Sequence, residues 1–376
     1  MKQQRVVVMS ALALIALLAL VACAPAPAPA PTAAPPTAAP VQPTAVPPTA
    51  APAQPTAVPP TAAAAPTTAP AQAKPMRIFW SNQQVGHPFW NVVKQGFEDA
   101  AKHYGFQLDS AGPTKMDDAA QISMIEAAFA SGQYDGFAIP GIVPDIYQPE
   151  IDKIVAKGIP VVVFCCDVPK SKRAAFVGTS PFGAGQKAGQ ALAKATGGNA
   201  VVNIITGKPD EADLVQRIAG FQDALKAYPN MKIDSTDTGA AGLTENVSKL
   251  SARLISSPNV NGFFGAMAEG GAAVLTLYPT NQARLKGTHT VTMDDLPQTL
   301  DGIRAGTIDA AIVQAQYNWG YGAIYELHRI LQKKLAPTAD STDTGTVIVT
   351  KDNVENYAKE TMDPKQWLDY EAKEPK

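Results

Sequence analysis

Residues 160–167, PVVVFCCD, place four consecutive apolar residues and two cysteines directly before an aspartate. A strand that is apolar at every position has both faces buried, which is typical of parallel sheets covered by helices on both sides. The stretch therefore predicts a central parallel strand in an α/β fold, with Asp167 at its carboxyl end.

The flanking residues repeat this pattern of short apolar runs separated by amphipathic stretches. Residues 76–81 (MRIFWS) and 135–140 (DGFAIP) come before it, and a second series runs from 173–179 (RAAFVGT) to 309–316 (DAAIVQAQ). Alternating strands and helices predict parallel sheets with helices on both faces. The chain therefore predicts two doubly wound parallel-sheet lobes of similar size, followed by a strand near 346–350 and a terminal helix.

The N-terminal segment has a different composition. Residues 1–23 start with Lys2 and Arg5, continue with an apolar run and end at Cys23. The run is shorter than the ~20 residues that span a bilayer, so we interpret it as an export signal, with a transmembrane anchor as the alternative. Its last residues, LVAC, resemble a bacterial lipobox. The resemblance implies that Cys23 carries a diacylglycerol that holds the mature protein on a membrane surface.

Residues 24–75 repeat proline, threonine and alanine and contain no charged residue before Lys74. This composition cannot bury enough apolar surface to fold, and it favours polyproline II at ~3.1 Å per residue. We expect a disordered tether that separates the folded part of the chain from the membrane.

Composition and motifs exclude several classes of protein. The net charge of -2 lacks the basic footprint of a nucleic-acid-binding protein. The four histidines are far apart, and no HExxH, paired CxxC or GxSxG motif occurs, so we expect neither an enzyme nor a metal or cofactor site. TGKPDE (206–211) lacks the frame of a phosphate-binding loop. GAGQKAG (183–189) lacks dinucleotide-binding spacing, and its small residues favour close packing of a helix on the sheet.

Polar and aromatic residues follow several of the predicted strands, and ligands of open α/β sheets bind at the carboxyl ends of strands. The residues in these places are Asn82 to Trp90, Asp167, Asp294, Asp295 and Gln316, with Arg217 on the helix after NIIT. Carboxylates and a guanidinium can each grip two vicinal hydroxyls, and aromatic faces cover the apolar surface of a sugar. The pattern therefore favours a polyhydroxylated ring as the ligand.

Four motifs, in this order and spacing, resemble the ribose-class (type I) periplasmic binding proteins, the sugar receptors of ABC importers. They are SNQQVGHPFWNVVKQGFEDAAKHYG (81–105), GIPVVVFCCDV (158–168), RIAGFQDAL (217–225) and DAAIVQAQYNWGYGAI (309–324). The resemblance covers nearly the whole folded part. It implies two lobes joined by a hinge that the chain crosses three times, near residues 179, 316 and 345.

On this resemblance, the N-terminal lobe comprises residues 76–179 and 317–345, and the C-terminal lobe comprises 180–316 and 346–376. The family pattern also implies the ligand contacts. Phe89 and Trp90 would sandwich the ligand, His87 stands where the family often has asparagine, and Asp167 would grip hydroxyls from the same lobe. Arg217 and Asp294 would do so from the second lobe, and Gln316 from the boundary between the lobes.

The chain departs from the family pattern at three places. Pro140, Met267 and Ser180 stand where asparagine or aspartate is often found. Fewer amide groups imply a ligand with fewer hydroxyls, or a different contact set that uses His87 with Asn82, Gln83 and Glu269. A polyol, a deoxysugar and a nucleoside therefore stay open beside a monosaccharide.

Each proposed contact also has a structural interpretation. A carboxylate can terminate a strand, an arginine can be a solvated helix residue, and a tryptophan can belong to the core; these alternatives apply to Asp167, Arg217 and Trp90. His87 contacts either ligand or loop, and Trp319 and Tyr317 either line the cleft or pack beneath the hinge. Asp295 is interpreted as a solvated neighbour of Asp294. For Cys165 and Cys166 we expect two buried thiols, because adjacent cysteines rarely bridge.

The resemblance implies an extracytoplasmic, lipid-anchored monomer that captures a monosaccharide or polyol by hinge closure and delivers it to an ABC permease and ATPase complex. A sensory receptor, whose closed form docks on a chemoreceptor or histidine kinase, is the alternative. A hydrolase is a third possibility, in which Asp167 and Asp294 would act as acid and base ~5 to 10 Å apart.

Overall fold

The computed structural model describes residues 74–240 and 242–375. The predicted export signal, the lipidation of Cys23 and nearly all of the predicted tether lie outside this part of the chain. Among the described residues, no helix has both the length and the apolar character needed to cross a membrane.

The described chain alternates strands with helices. The strands are β1 (Arg77–Ser81), β2 (Gln107–Ala111), β3 (Gly136–Pro140), β4 (Val161–Cys165), β5 (Ala175–Gly178), β6 (Asn199–Ile205), β7 (Asn230–Asp237), β8 (Gly262–Gly265), β9 (His289–Met293), β10 (Ala310–Gln314), β11 (Ser341–Asp343) and β12 (Thr346–Val349). The helices are α1 (Pro88–Tyr104), α2 (Asp118–Ala130), α3 (Pro144–Val155), α4 (Pro181–Thr196), α5 (Ala212–Leu225), α6 (Leu243–Ser256), α7 (Glu269–Leu285), α8 (Pro297–Ala305), α9 (Gln316–Leu331), α10 (Ala358–Thr361) and α11 (Lys365–Glu371).

These strands form two six-stranded sheets. The first has the order β11-β5-β4-β3-β1-β2, and all of its neighbouring strands are parallel. The second has the order β12-β10-β9-β8-β6-β7 and is parallel except for β12, which pairs antiparallel with β10. The prediction of two doubly wound, parallel-sheet lobes is confirmed.

Strand β4 shows why the opening stretch has no polar residue before its end. Val162 and Phe164 pack on one face of the sheet, in the same cluster as Phe97 of α1 and Ile324 of α9. The alternate residues, Val161 among them, pack on the other face with residues of α2 and α3. Because helices cover both faces, every position of this central strand must be apolar.

The chain passes between the two sheets three times. Helix α4 follows β5 and packs on the second sheet, α9 follows β10 and packs on the first, and β11 of the first sheet leads directly to β12 of the second. The last helix returns to the first lobe, although the sequence assigned all of 346–376 to the second. The reason is Trp367, which is fully buried and donates its indole N–H to Oδ1 of Asn318 at 3.0 Å.

Helices α4 and α5 lie unusually close together. A Cβ added to Gly185 would lie 1.9 Å from the carbonyl oxygen of Arg217, so only glycine permits this approach. The prediction that GAGQKAG packs its small residues on the sheet therefore needs correction for Gly185, which faces a helix. Because the contact is made by the backbone of Arg217, it also fixes the backbone position from which the Arg217 side chain extends.

Candidate functional site

A cavity of about 100 Å³ lies between the two lobes at the carboxyl ends of the strands. The structure brings five of the predicted site residues to its walls. His87, Phe89 and Trp90 come from the first lobe, and Arg217 and Asp294 come from the second. Residues far apart in the chain thus face one another because both sheets direct their strand ends to the same space.

The aromatic wall is built at the start of α1. The rings of Phe89 and Trp90 are 5.1 Å apart at 80°, and the Phe89 ring is 5.6 Å from that of Trp319 at 63°. The rings of Phe89 and Trp90 therefore form a corner, instead of the two parallel faces that would sandwich a ligand. Trp319 lines the cavity and also donates its indole N–H to Thr179 and Thr344 at the lobe boundary, so both interpretations of this residue hold.

Asp294 is the buried carboxylate of the second lobe. It follows β9 in a left-handed conformation (φ 63°), is 4% exposed, and accepts a 2.8 Å hydrogen bond from Gln314 Nε2. Burial raises the pKa of Asp294 to about 7, although the positive charge of Arg217 opposes this rise. Gln314, the last residue of β10, also lines the cavity. A carboxylate held this way is costly to ionise until a ligand hydroxyl compensates it.

Arg217 is buried rather than solvated, at 4% exposure. Its Nη1 donates to the carbonyl oxygen of Ala266 at 2.6 Å, and its Nη2 lies 3.4 Å from Oδ2 of Asp213. Its Nε has no partner within the part of the chain that the structure describes. A buried donor without a partner is costly, so this N–H is available to a ligand oxygen.

His87 faces the second lobe across the cavity. Its Nε2 is 3.6 Å from Oε1 of Glu269, the first residue of α7, and its Nδ1 is buried without a partner among the described residues. A second contact across the cleft joins Lys208 to Asp118 at 3.2 Å. Both contacts connect residues of different lobes, so the structure has the closed arrangement of the cleft.

Sequence reasoning missed the cavity residues Glu211 and Asp213. Glu211 is 8% exposed, and burial raises its pKa to about 7. The signal for Glu211 is the position of TGKPDE directly after β6, at a strand end, even though the stretch lacks the frame of a phosphate-binding loop. Gln314 is signalled in the same way by the end of β10, whereas Glu269 already belongs to the alternative contact set that the sequence predicts, and it does line the cavity.

Two predicted contacts lie outside this cavity. Gln316 donates through Nε2 to Oδ1 of Asp295 at 3.0 Å, and Tyr357 donates to Oδ2 of the same carboxylate at 2.9 Å. Asp167 lines an adjoining cavity of about 470 Å³, where its two oxygens accept from Nε (2.6 Å) and Nη2 (2.9 Å) of Arg173. In this arrangement both oxygens of Asp167 are occupied by a bidentate partner.

We expect Asp167→Asn to affect stability more than ligand affinity. Arg173 has a side chain only 4% exposed, and after the substitution its charge would keep only Asp340 as an acidic partner. Weakening a buried, charge-assisted pair costs roughly 1.5 to 3 kcal/mol. Chemical denaturation should show that loss, whereas calorimetric affinity should change less than threefold. A loss of affinity with unchanged stability would instead make Asp167 a ligand contact.

We expect the stability of the ligand-free protein to fall as the pH rises from about 4 to about 7. Asp294 and Glu211 both have a folded-state pKa of about 7, above the unfolded value near 4. Their contribution is therefore complete below pH 4 and is lost as the pH rises through 7, by at most about 4 kcal/mol for each group. Unfolding at pH 5 and pH 8 measures it. The Asp294→Asn, Glu211→Gln double variant should flatten the difference, and an unchanged difference would contradict this origin.

The described residues contain no cluster of three or more histidine, cysteine, aspartate or glutamate side chains able to hold a metal ion.

A family model described as a periplasmic binding protein domain matches residues 78–335.

Three similar proteins illustrate the match. The xylose/arabinose-binding protein XylF of Sulfolobus acidocaldarius is 24% identical over 295 residues, which is 75% of this chain and 72% of that protein. The D-allose-binding periplasmic protein of Escherichia coli is 26% identical over 243 residues, 61% of this chain and 76% of that protein. An ABC transporter solute-binding protein from Burkholderia graminis, solved with D-arabinose, is 30% identical with a TM-score of 0.71, covering 76% of this chain and 99% of that one.

Proposed function

This chain belongs to the periplasmic binding protein domain family, and on that premise we propose that it captures a monosaccharide or related polyol in the cavity between its lobes. The members compared above are binding proteins, so the prediction that the chain is not an enzyme is confirmed. The observation that carries the proposal is the pairing of buried Asp294 and Arg217 with the aromatic corner of Phe89 and Trp90 in one cavity.

Each group has a defined role toward a sugar. Vicinal hydroxyls donate to the Asp294 carboxylate, and the free Nε of Arg217 donates to a hydroxyl or ring oxygen. The aromatic corner covers the apolar C–H surface of the ring. The relatives that bind xylose or arabinose, D-allose and D-arabinose support a monosaccharide over a nucleoside.

Hinge closure follows from the placement of these groups on two lobes. A ligand that contacts Asp294 on one lobe and Trp90 on the other binds the closed form better than the open form, so it shifts the equilibrium toward closure. Two contacts between the lobes, His87 with Glu269 and Lys208 with Asp118, then further stabilise the closed form. The closed surface is what we propose an ABC permease recognises before the sugar is released inward.

We further propose that the protein acts outside the cytoplasm on a lipid anchor at Cys23. The support is the lipobox-like LVAC and the tether that follows it, which has no charged residue before Lys74. Growth with a labelled fatty acid should place the label on the wild-type chain and not on a Cys23→Ser variant. Equal labelling of both would overturn the anchor without touching the sugar site.

Calorimetric titration tests the function. The full chain carrying Cys23→Ser is titrated with pentoses, hexoses, polyols and nucleosides, beside the same chain with Trp90→Ala. Binding of one sugar at micromolar affinity or better, weakened strongly by Trp90→Ala, is the expected result. Folded, ligand-free protein that binds nothing in the panel would contradict the proposal.

A further inference from the structure

The two cysteines that end the central strand lie against each other in the wall of the cleft. Their Sγ atoms are 3.0 Å apart, and the structure holds both as free thiols. Both line the 100 Å³ cavity and the adjoining 470 Å³ cavity. Cys166 is buried and Cys165 is half-buried. The proposed ligand and a solvent-borne reagent therefore reach the same pair of sulfur atoms.

The backbone at Cys165 explains how neighbouring residues face the same space. In a regular strand, consecutive side chains point to opposite faces. Cys165 instead has φ 67°, and the N–H of Cys166 donates to the carbonyl oxygen of Phe164 at 2.8 Å. This combination is a three-residue γ-turn of the strained kind, which glycine adopts far more easily than cysteine. The turn therefore places the Cys166 thiol on the same side as the Cys165 thiol.

The strained backbone at Cys165 points to a role beyond packing. A strained turn at a non-glycine residue persists where the surrounding structure requires it, and such strain concentrates at functional sites. The result of the strain is the approach of two sulfur atoms in a ligand-facing wall. A bridge between adjacent residues closes the smallest possible loop, so it contributes little stability through chain entropy. The bridge would therefore change the shape of the cavity more than the stability of the fold.

We propose that Cys165 and Cys166 form a reversible vicinal disulfide in the cavity wall, and that the bridge sets the affinity for the sugar. The inference rests on the proposed function, because a disulfide persists in the oxidising surroundings that an exported protein meets. Closing the bridge replaces two mobile S–H groups with one rigid apolar surface next to the aromatic corner.

The reaction is a pair of thiol–disulfide exchanges with a low-molecular-weight disulfide. The more exposed Cys165, as thiolate, attacks one sulfur of the reagent, forms a mixed disulfide and releases the first small thiol. Cys166, as thiolate, then attacks Sγ of Cys165 and releases the second. The protein pair loses two electrons and two protons, and the reagent gains them as two thiols. Burial of Cys166, whose pKa is raised mainly by its contact with Cys165, makes the second exchange the slower one.

The test uses the full chain with Cys23→Ser, which leaves two thiols. The protein is incubated with oxidised glutathione, denatured, alkylated with iodoacetamide and weighed intact. The expected mass shows no alkyl group, and two after phosphine reduction. Two alkyl groups without reduction, or a persistent glutathione adduct, would overturn the bridge. As a control, Cys166→Ser must retain one glutathione on Cys165.

The effect on affinity is measured separately. D-Xylose and the remaining sugars of the panel are titrated into oxidised and reduced protein, and into a Cys165→Ser, Cys166→Ser variant. We expect the affinity for the bound sugar to differ at least threefold between the oxidised and reduced protein. The double variant should bind the sugar with the same affinity under both conditions. Equal affinities in a sample shown to be bridged would overturn the role of the bridge. If no sugar binds in either state, the proposed function fails, while the mass measurement still decides whether the bridge forms.

Discussion

Asp294→Asn should weaken sugar binding by at least about 100-fold while stabilising the ligand-free protein above pH 7. A hydrogen bond to a charged group contributes roughly 1.5 to 3 kcal/mol, and two vicinal hydroxyls bound by one carboxylate therefore correspond to about 100-fold or more in affinity. Asparagine has the same shape but lacks the charge. Because Asp294 is 4% exposed and burial raises its pKa to about 7, removing its charge relieves the ligand-free protein of a desolvation cost.

The matched control is the same substitution one residue further along. Asp295 accepts hydrogen bonds from Gln316 and Tyr357 and does not line the cavity. Asp295→Asn should therefore leave sugar affinity within about threefold. Calorimetry gives the affinities, and thermal unfolding at pH 8 gives the stabilities. A binding loss in both variants, or a loss at Asp294 accompanied by unfolding, would contradict a direct contact.

Gly185→Ala should destabilise the second lobe and weaken sugar binding together. The added Cβ would lie 1.9 Å from the carbonyl oxygen of Arg217 and 2.9 Å from the backbone nitrogen of Phe221, so α5 must move away from α4. Overpacking of this kind costs about 1 to 3 kcal/mol. The displaced backbone is that of Arg217, so a shift of the helix also displaces the guanidinium from the cavity. We expect affinity to fall about tenfold or more.

Gly183→Ala is the control two residues away on the same helix. Its Cβ would meet only the Ser180 side chain, 3.2 Å from Oγ. Stability should stay within about 0.5 kcal/mol, and affinity should not change. Denaturant unfolding and calorimetry of the two variants decide the matter. If Gly185→Ala were as stable as Gly183→Ala, the close approach of α4 and α5 would not be what positions Arg217.

Periodicity predicted the fold well because each apolar run meets the same physical requirement. Strand β4 is apolar at Val161–Phe164 because helices cover both of its faces, and that requirement is visible in the sequence alone. The terminal helix shows the limit of the method. Trp367 packs against Asn318 and Tyr325. Both lie far from it in the chain, and no local sequence pattern reveals a contact between such distant residues. The prediction for residues 346–376 consequently failed there.

The site was predictable to the extent that it lies at strand ends. His87, Phe89, Trp90, Arg217 and Asp294 all reach the cavity, as the rule for parallel sheets indicates. Asp167 obeys the same rule but meets Arg173, and the sequence does not reveal which of several charged neighbours becomes the partner of a carboxylate. Glu211 also follows a strand end, but the stretch TGKPDE was interpreted only through its lack of a phosphate-binding frame.

The central claim is that a sugar binds between Asp294 and the aromatic corner with the lobes closed around it. A crystal structure of the protein with the sugar selected by calorimetry tests this most directly. We predict two adjacent hydroxyls within hydrogen-bond distance of the Asp294 carboxylate, one oxygen at Nε of Arg217, and the ring face against Phe89 or Trp90. A sugar bound only in the adjoining cavity beside Asp167, with Asp294 untouched, would contradict the account.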